Sequence, residues 1–255
     1  MDQPMDTLSR RAFTGGALGS LLTYSLLETL LAEDLLADST KPITAKWLVD
    51  LDQLGRDIKG QKLKQVDWQA KVEELFAKVD LPELLKLIDF DKLAGGTKLV
   101  DKGARSLRFK FPDVEGLPRD LVFGKQIFAL KKDRSVIPHG HNNMATAFLV
   151  LRGDLRGRHY DRIEDQKDHL IIKPTIDGTF KPGGCSTVSD DKDNIHWFKA
   201  LTETAFIFNI HVLNVNAKSK GPTGRVYLNP LGEKLTDGLI RAPRIGYQES
   251  NRLFG

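Results

Sequence analysis

The sequence predicts a mainly β protein, a sandwich or barrel of short strands behind an N-terminal helical extension. Three observations predict it. From about residue 98 the apolar residues recur at every second position. The strand-like runs that follow are short, evenly spaced and separated by turn residues, with no helix between them. Before residue 97 the apolar period is that of a helix instead. Composition is compatible: 40% of the 255 residues are hydrophobic and 28% charged, enough for a sizeable core. A single Cys excludes a disulfide framework and a multi-Cys zinc ribbon. No run of 18 apolar residues is free of charge, which excludes a polytopic membrane protein. The net charge is +4, with Lys and Arg scattered among 34 acids and no nucleic-acid-binding signature, so no nucleic-acid partner is expected.

The chain opens with Ser9-Arg10-Arg11-Ala12-Phe13-Thr14, followed by an apolar stretch from Phe13 to Leu27 softened by Gly15, Gly16 and Gly19. A twin arginine before a moderately hydrophobic segment resembles a twin-arginine export signal, assigned here to residues 1–37. The resemblance implies a periplasmic protein, or one tethered on the outer side of the inner membrane. No clean A-x-A cleavage site follows, so an uncleaved signal is an expected tether. Cleavage after Ala37 would remove two arginines and five acids and raise the net charge from +4 to +7.

Residues 38–97 form a helical prelude. Trp47, Leu51, Leu54 and Ile58 recur at helical spacing. Asp67 is placed to cap a helix whose apolar face is Val72, Leu75, Phe76 and Val79. Asp80-Leu81-Pro82-Glu83 reads as another start, with Asp as cap and Pro in the first turn. Gly95-Gly96 ends the region.

The β domain is expected over 98–255 with a C-terminal tail. Leu107, Phe109 and Phe111 alternate with Ser106, Arg108 and Lys110. Further strand-like runs cover 121–130, 147–152, 155–160, 169–173, 205–213 and 224–228, with turns at Asp177-Gly178 and Pro182-Gly183-Gly184.

The chemistry centres on Pro138-His139-Gly140-His141-Asn142-Asn143-Met144-Ala145-Thr146. Two His separated by one residue on an extended backbone point to the same face. Both imidazoles can then reach one metal at about 2.1 Å. Imidazole suits Fe, Zn, Ni or Cu, and facial sites with open positions suit non-haem Fe(II). His159 and His169 read as structural, and Cys185 as a small structural residue. His211, in the run after His196, is placed to face the cavity.

The His segment resembles the first motif of the cupin superfamily, which has two His separated by one residue, then Glu, then Gly. Four residues separate His141 from Thr146 and six separate Thr146 from Gly153, but Thr146 holds the Glu place. The resemblance implies a jelly-roll β-sandwich or barrel. A cupin without that Glu implies a three-His site, whose third ligand is His196 in Asn194-Ile195-His196-Trp197-Phe198. That segment, and Arg158-His159-Tyr160-Asp161, look like parts of the thiol dioxygenases. These are the cysteine dioxygenase, plant cysteine oxidase and cysteamine dioxygenase group, and the similarity covers about 121–230. It implies Fe(II), O2 and a small thiol as reactants, with Tyr160 and His211 as catalytic candidates. Arg108, Arg152 and Arg158 become candidates for gripping a substrate carboxylate. The run Phe206-Ile207-Phe208-Asn209-Ile210-His211 lacks the Asp that the plant-type enzymes carry there, and Thr146 precludes a Cys–Tyr crosslink. Two other readings remain open: a three-His cupin cleaving a C–C bond, and a non-catalytic cupin that binds metal and docks a partner through its helices.

Overall fold

The computed structural model describes residues 43–219 and 221–255; the expected export segment, 1–37, lies outside them. Among the described residues four helices come first: α1 (Ile43–Lys59), α2 (Gln65–Phe76), α3 (Leu81–Leu87) and α4 (Phe90–Gly95). The expected stripe of α1 is real, with Trp47, Leu51 and Ile58 buried. Asp80 caps α3 as expected, its Oδ1 accepting from the Glu83 N–H at 3.0 Å. Asp67 is not a cap. Helix α2 starts three residues earlier, Lys64 takes the cap position, and Asp67 lies in the first turn. A carboxylate there still offsets the exposed N–H groups.

Twelve strands follow: β1 (Arg105–Leu107), β2 (Gly124–Lys131), β3 (Ser135–Asn142), β4 (Met144–Arg152), β5 (Leu155–Asp165), β6 (His169–Phe180), β7 (Cys185–Val188), β8 (Ile195–Ala200), β9 (Thr204–Leu213), β10 (Gly224–Tyr227), β11 (Glu233–Lys234) and β12 (Ile240–Pro243). One sheet has the order β1-β2-β9-β4-β7 and the other β10-β3-β8-β5-β6-β12-β11. All pairings are antiparallel. Numbered from β2, the eight central strands lie in the orders 1-8-3-6 and 2-7-4-5, which is the strand order of a jelly roll. The fold expected from the sequence is therefore present.

Two local expectations fail. The alternating stretch 106–111 pairs only through Leu107. Beyond it Phe109 and Phe111 keep the period of two and pack edge-on against Phe208, with ring centroids 6.0 and 6.4 Å away. The expected turn at Asp177-Gly178 lies inside β6, where Gly178 faces Gly157 across the ladder with β5. Two glycines opposed in one ladder signal a turn in sequence but are tolerated once long-range pairing supplies the hydrogen bonds.

The helices pack on the outer face of the five-stranded sheet, while Phe128, Val136, Phe148, Phe198 and Ile207 form a separate cluster between the two sheets. Trp47, Trp68 and Phe76 are buried in one cluster with Ile127, Phe208 and Ile210. Helix α2 also covers the edge strand β7 and the turn after it. Thr187 Oγ1 donates to Glu73 Oε1 at 2.6 Å, Ser189 Oγ donates to Gln69 Oε1 at 2.7 Å, and the Asp190 N–H donates to Gln65 Oε1 at 2.9 Å. Gln65, Gln69 and Glu73 are spaced by four and share one helix face. The exposed edge that would otherwise invite pairing is thus closed. At the other end, α5 (Tyr247–Phe254) lies on the outer face of the seven-stranded sheet, with Phe254 against Trp197 at 5.6 Å.

Candidate metal centre

His139 and His141 come from β3 and His196 from β8, and the two strands pair so that His139 faces His196. A register shift between Val136 and His139 makes this possible. Val136 faces inward opposite Phe198. In a regular strand a residue three positions on would point outward. The extra residue at the bulge restores the phase and turns both ligands into the barrel.

Each ring is fixed through Nδ1. His139 Nδ1 lies 2.8 Å from the Ile137 carbonyl, at the bulge itself, and His196 Nδ1 lies 3.0 Å from the Asn194 carbonyl. A carbonyl only accepts, so both Nδ1 atoms carry the proton and both Nε2 atoms keep their lone pairs. His141 Nδ1 lies 3.1 Å from Thr146 Oγ1. The Nε2 atoms of His141 and His196 are buried and have no hydrogen-bond partner among the described residues. Such orphaned nitrogens are costly unless something else is bound there. All three rings are buried, and burial holds their pKa values down, that of His196 to about 3. They are neutral imidazoles, the form that ligates metal. One ligand nitrogen from each ring lies within 4.8 Å of the others. Two bonds of about 2.1 Å span at most about 4.2 Å, so a loaded site draws the rings slightly together. The donor set fits a single divalent ion.

The surrounding backbone is clamped. Asn194 Nδ2 donates to the carbonyls of His141 (2.9 Å) and Ser189 (2.8 Å), and its Oδ1 accepts from the His141 N–H at 3.3 Å. This explains Gly140: a Cβ there would stand 2.6 Å from Asn194 Oδ1 and 2.4 Å from Ile195 Cδ1.

In front of His139 and His141 is a nearly filled cavity of about 10 Å³, lined also by Phe128, Met144, Phe148, Asn209, His211 and Arg225. That is room for about one water. No carboxylate lines it among the described residues. Of the apolar residues in the runs 147–151 and 205–212, only Phe148 lines it. The inward positions of β9 at this end are the polar Asn209 and His211.

His211 thus lines the pocket as expected; it faces Thr146 in the β4–β9 pairing. Tyr160 does not. It is one residue out of phase with His159 and lies on the outer face of β5, buried with Leu170 and Trp197. The three candidate arginines are also elsewhere. Arg152 pairs with Asp91 and covers the Phe90 ring, and Arg158 lies over Trp197 and pairs with Asp177. Arg108 lines a separate outer groove.

The residues missed in sequence come from β10. Arg225 faces His141 and Tyr227 faces His139 across the β10–β3 ladder. The Tyr227 ring is 6.0 Å from that of His139. The alternation of Arg225 and Tyr227 around Val226 was visible, but not which strand they pair with. His159 is fully buried beside His196, 6.1 Å between ring centroids, and is not one of the converging set. His169 sits against Asp168 at 2.7 Å, away from the centre. Burial and Glu73 push the Cys185 thiol up to about 11, which keeps it an unreactive thiol.

No family model matches the chain, and no curated protein matches it. Solved structures overlap it in part. The 11S globulin from Wrightia tinctoria is 14% identical over 51% of this chain and 28% of that one, with a TM-score of 0.35. A protein from Thermus thermophilus is 10% identical over 49% of this chain and 94% of that one, also at 0.35. A double-stranded β-helix protein from Klebsiella pneumoniae is 10% identical over 40% of this chain and 71% of that one, at 0.28. The chain spans only 21% to 30% of the length of the first three seed globulins it overlaps. The fold described above rests on the strand order, not on these overlaps.

Proposed function

We propose that this chain is an exported, cupin-type non-haem Fe(II) dioxygenase that oxidises a small anionic thiol to its sulfinate. The observation that carries the reading is the donor set: three buried neutral imidazoles converge in a pocket without a carboxylate. Iron held by His139, His141 and His196 would supply the electron chemistry that O2 requires. In the overall reaction both oxygen atoms join the sulfur, and the thiol proton is released.

The chain's own residues have separable tasks. Ile137, Asn194 and Thr146 hold the three rings through Nδ1, so each Nε2 keeps one direction. Arg225 is exposed at the rim and offers a fork of donors to a carboxylate. His211 lines the same pocket, its pKa lowered by burial and by Arg225. Phe128, Met144 and Phe148 limit water.

An oxygen electrode and NMR of the product test it. Iron-loaded protein given cysteine, cysteamine or 3-mercaptopropionate should consume O2 and form sulfinate, and the Arg225→Ala variant should raise KM for the carboxylate-bearing thiols only. Fully loaded protein that consumes no O2 with any of them would leave a metal-binding module.

A further inference from the structure

Beside the metal pocket lies a groove of about 620 Å³ lined by Arg108, Phe109, Lys110, Lys125, Gln126 and His211. His211 lines both spaces, so its ring is the partition between them. Gly124 faces it across the β2–β9 ladder, and a Cβ there would stand 2.3 Å from His211 Nε2. Only glycine leaves the ring its place.

The groove is cationic. Among the described residues, Arg108, Lys110 and Lys125 have no carboxylate within 4.0 Å, and none lines this part of the groove. Lys125 is half-buried, with its Nζ 5.7 Å from the Phe109 ring centre and 5.2 Å from that of Phe111. Those rings meet edge to face at 5.2 Å. Burial and the nearby Lys110 push the Lys125 ammonium pKa down. Asp113 and Glu115 line only the adjoining outer space, which shares Lys110 and Lys125. Three unpaired cations against an aromatic wall are arranged for a ligand with an anionic head and an apolar stem.

We propose that this groove is a second anion subsite, in which Arg108, Lys110 and Lys125 hold the distal carboxylate or phosphate of an extended substrate while its leading end passes His211 into the metal pocket. The inference rests on the reading that the metal pocket receives the leading end of an anion. It adds that the natural substrate is longer than a free amino thiol and doubly anionic.

Calorimetric titration of the full-length chain tests it. The probes are unbranched α,ω-dicarboxylates from glutarate to azelate, each compared with the monocarboxylate of equal length. One dicarboxylate length should bind about tenfold or more tightly than its partner at low salt, and the ratio should shrink as salt rises. The ratio should approach one in the Arg108→Gln/Lys110→Gln/Lys125→Gln variant. It should survive in Arg225→Gln, which weakens both ligands alike. An ω-phosphonate arm of the same lengths separates the two head groups; a gain with either supports the subsite. Equal binding at every length, or a ratio that persists in the triple variant, overturns the subsite alone. Binding of neither ligand overturns the subsite together with the reading of the metal pocket as an anion site.

Discussion

Thr146 shows how one side chain changes the character of a site. A carboxylate at this position would add a negative ligand; a hydroxyl instead meets His141 Nδ1 at 3.1 Å and holds the ring from behind. The Thr146→Val variant keeps the volume and removes that contact, so it should weaken metal binding about tenfold or more, as losses of such outer partners do. Thr146→Ser should retain the affinity, and competition against a chromophoric chelator measures both. At this scale the sequence was legible wherever spacing alone decides direction. His139 and His141 share a face because they are two apart, and Thr146 falls at a fixed place after them. Arg225 and Tyr227 were not legible, because their relation to His141 and His139 exists only once β10 pairs with a strand more than 80 residues earlier. Tyr160 was misplaced for a smaller reason: its neighbour His159 occupies the inward phase of β5.

Among the elements, β3 carries the most information per residue. Its bulge re-aims two ligands, and Gly140 lets Asn194 cross behind them and tie β3 to the turn at Ser189. Gly140→Ala puts a methyl group 2.6 Å from the Asn194 amide oxygen. We expect a loss of about 1–3 kcal/mol in urea unfolding, the usual cost of overpacking, and a parallel loss of metal affinity as the clamp shifts. Unchanged affinity would mean that the clamp does not position His141. Helix existence was readable from apolar periodicity, and the Asp80 cap from its Pro and Glu partners. The start of α2 was not, since Lys64 caps it without a side-chain bond. The closure of the β7 edge by Gln65, Gln69 and Glu73 could not be read either, because those residues look like an ordinary polar helix face until the strand lies beside them.

For the whole molecule, the helices enclose Trp68 and Phe76 against the outer face of the five-stranded sheet, while the sandwich keeps its own interior cluster. The period change near residue 98 therefore marks a helical layer packed on a β-sandwich within one compact unit. The jelly-roll order itself was available only through the His motif, since alternation predicts strands but not their partners. The Arg10→Lys/Arg11→Lys double variant should accumulate in the cytoplasm, as cell fractionation will read; unchanged delivery to the periplasm would refute the export assignment. The most direct measurement of the central claim is elemental analysis of the purified full-length chain and of its histidine variants. One divalent metal ion per chain, predominantly iron, is predicted for the wild type and for His159→Ala and His169→Ala, with almost none in His139→Ala, His141→Ala or His196→Ala. Full metal content in those last three variants would contradict the account.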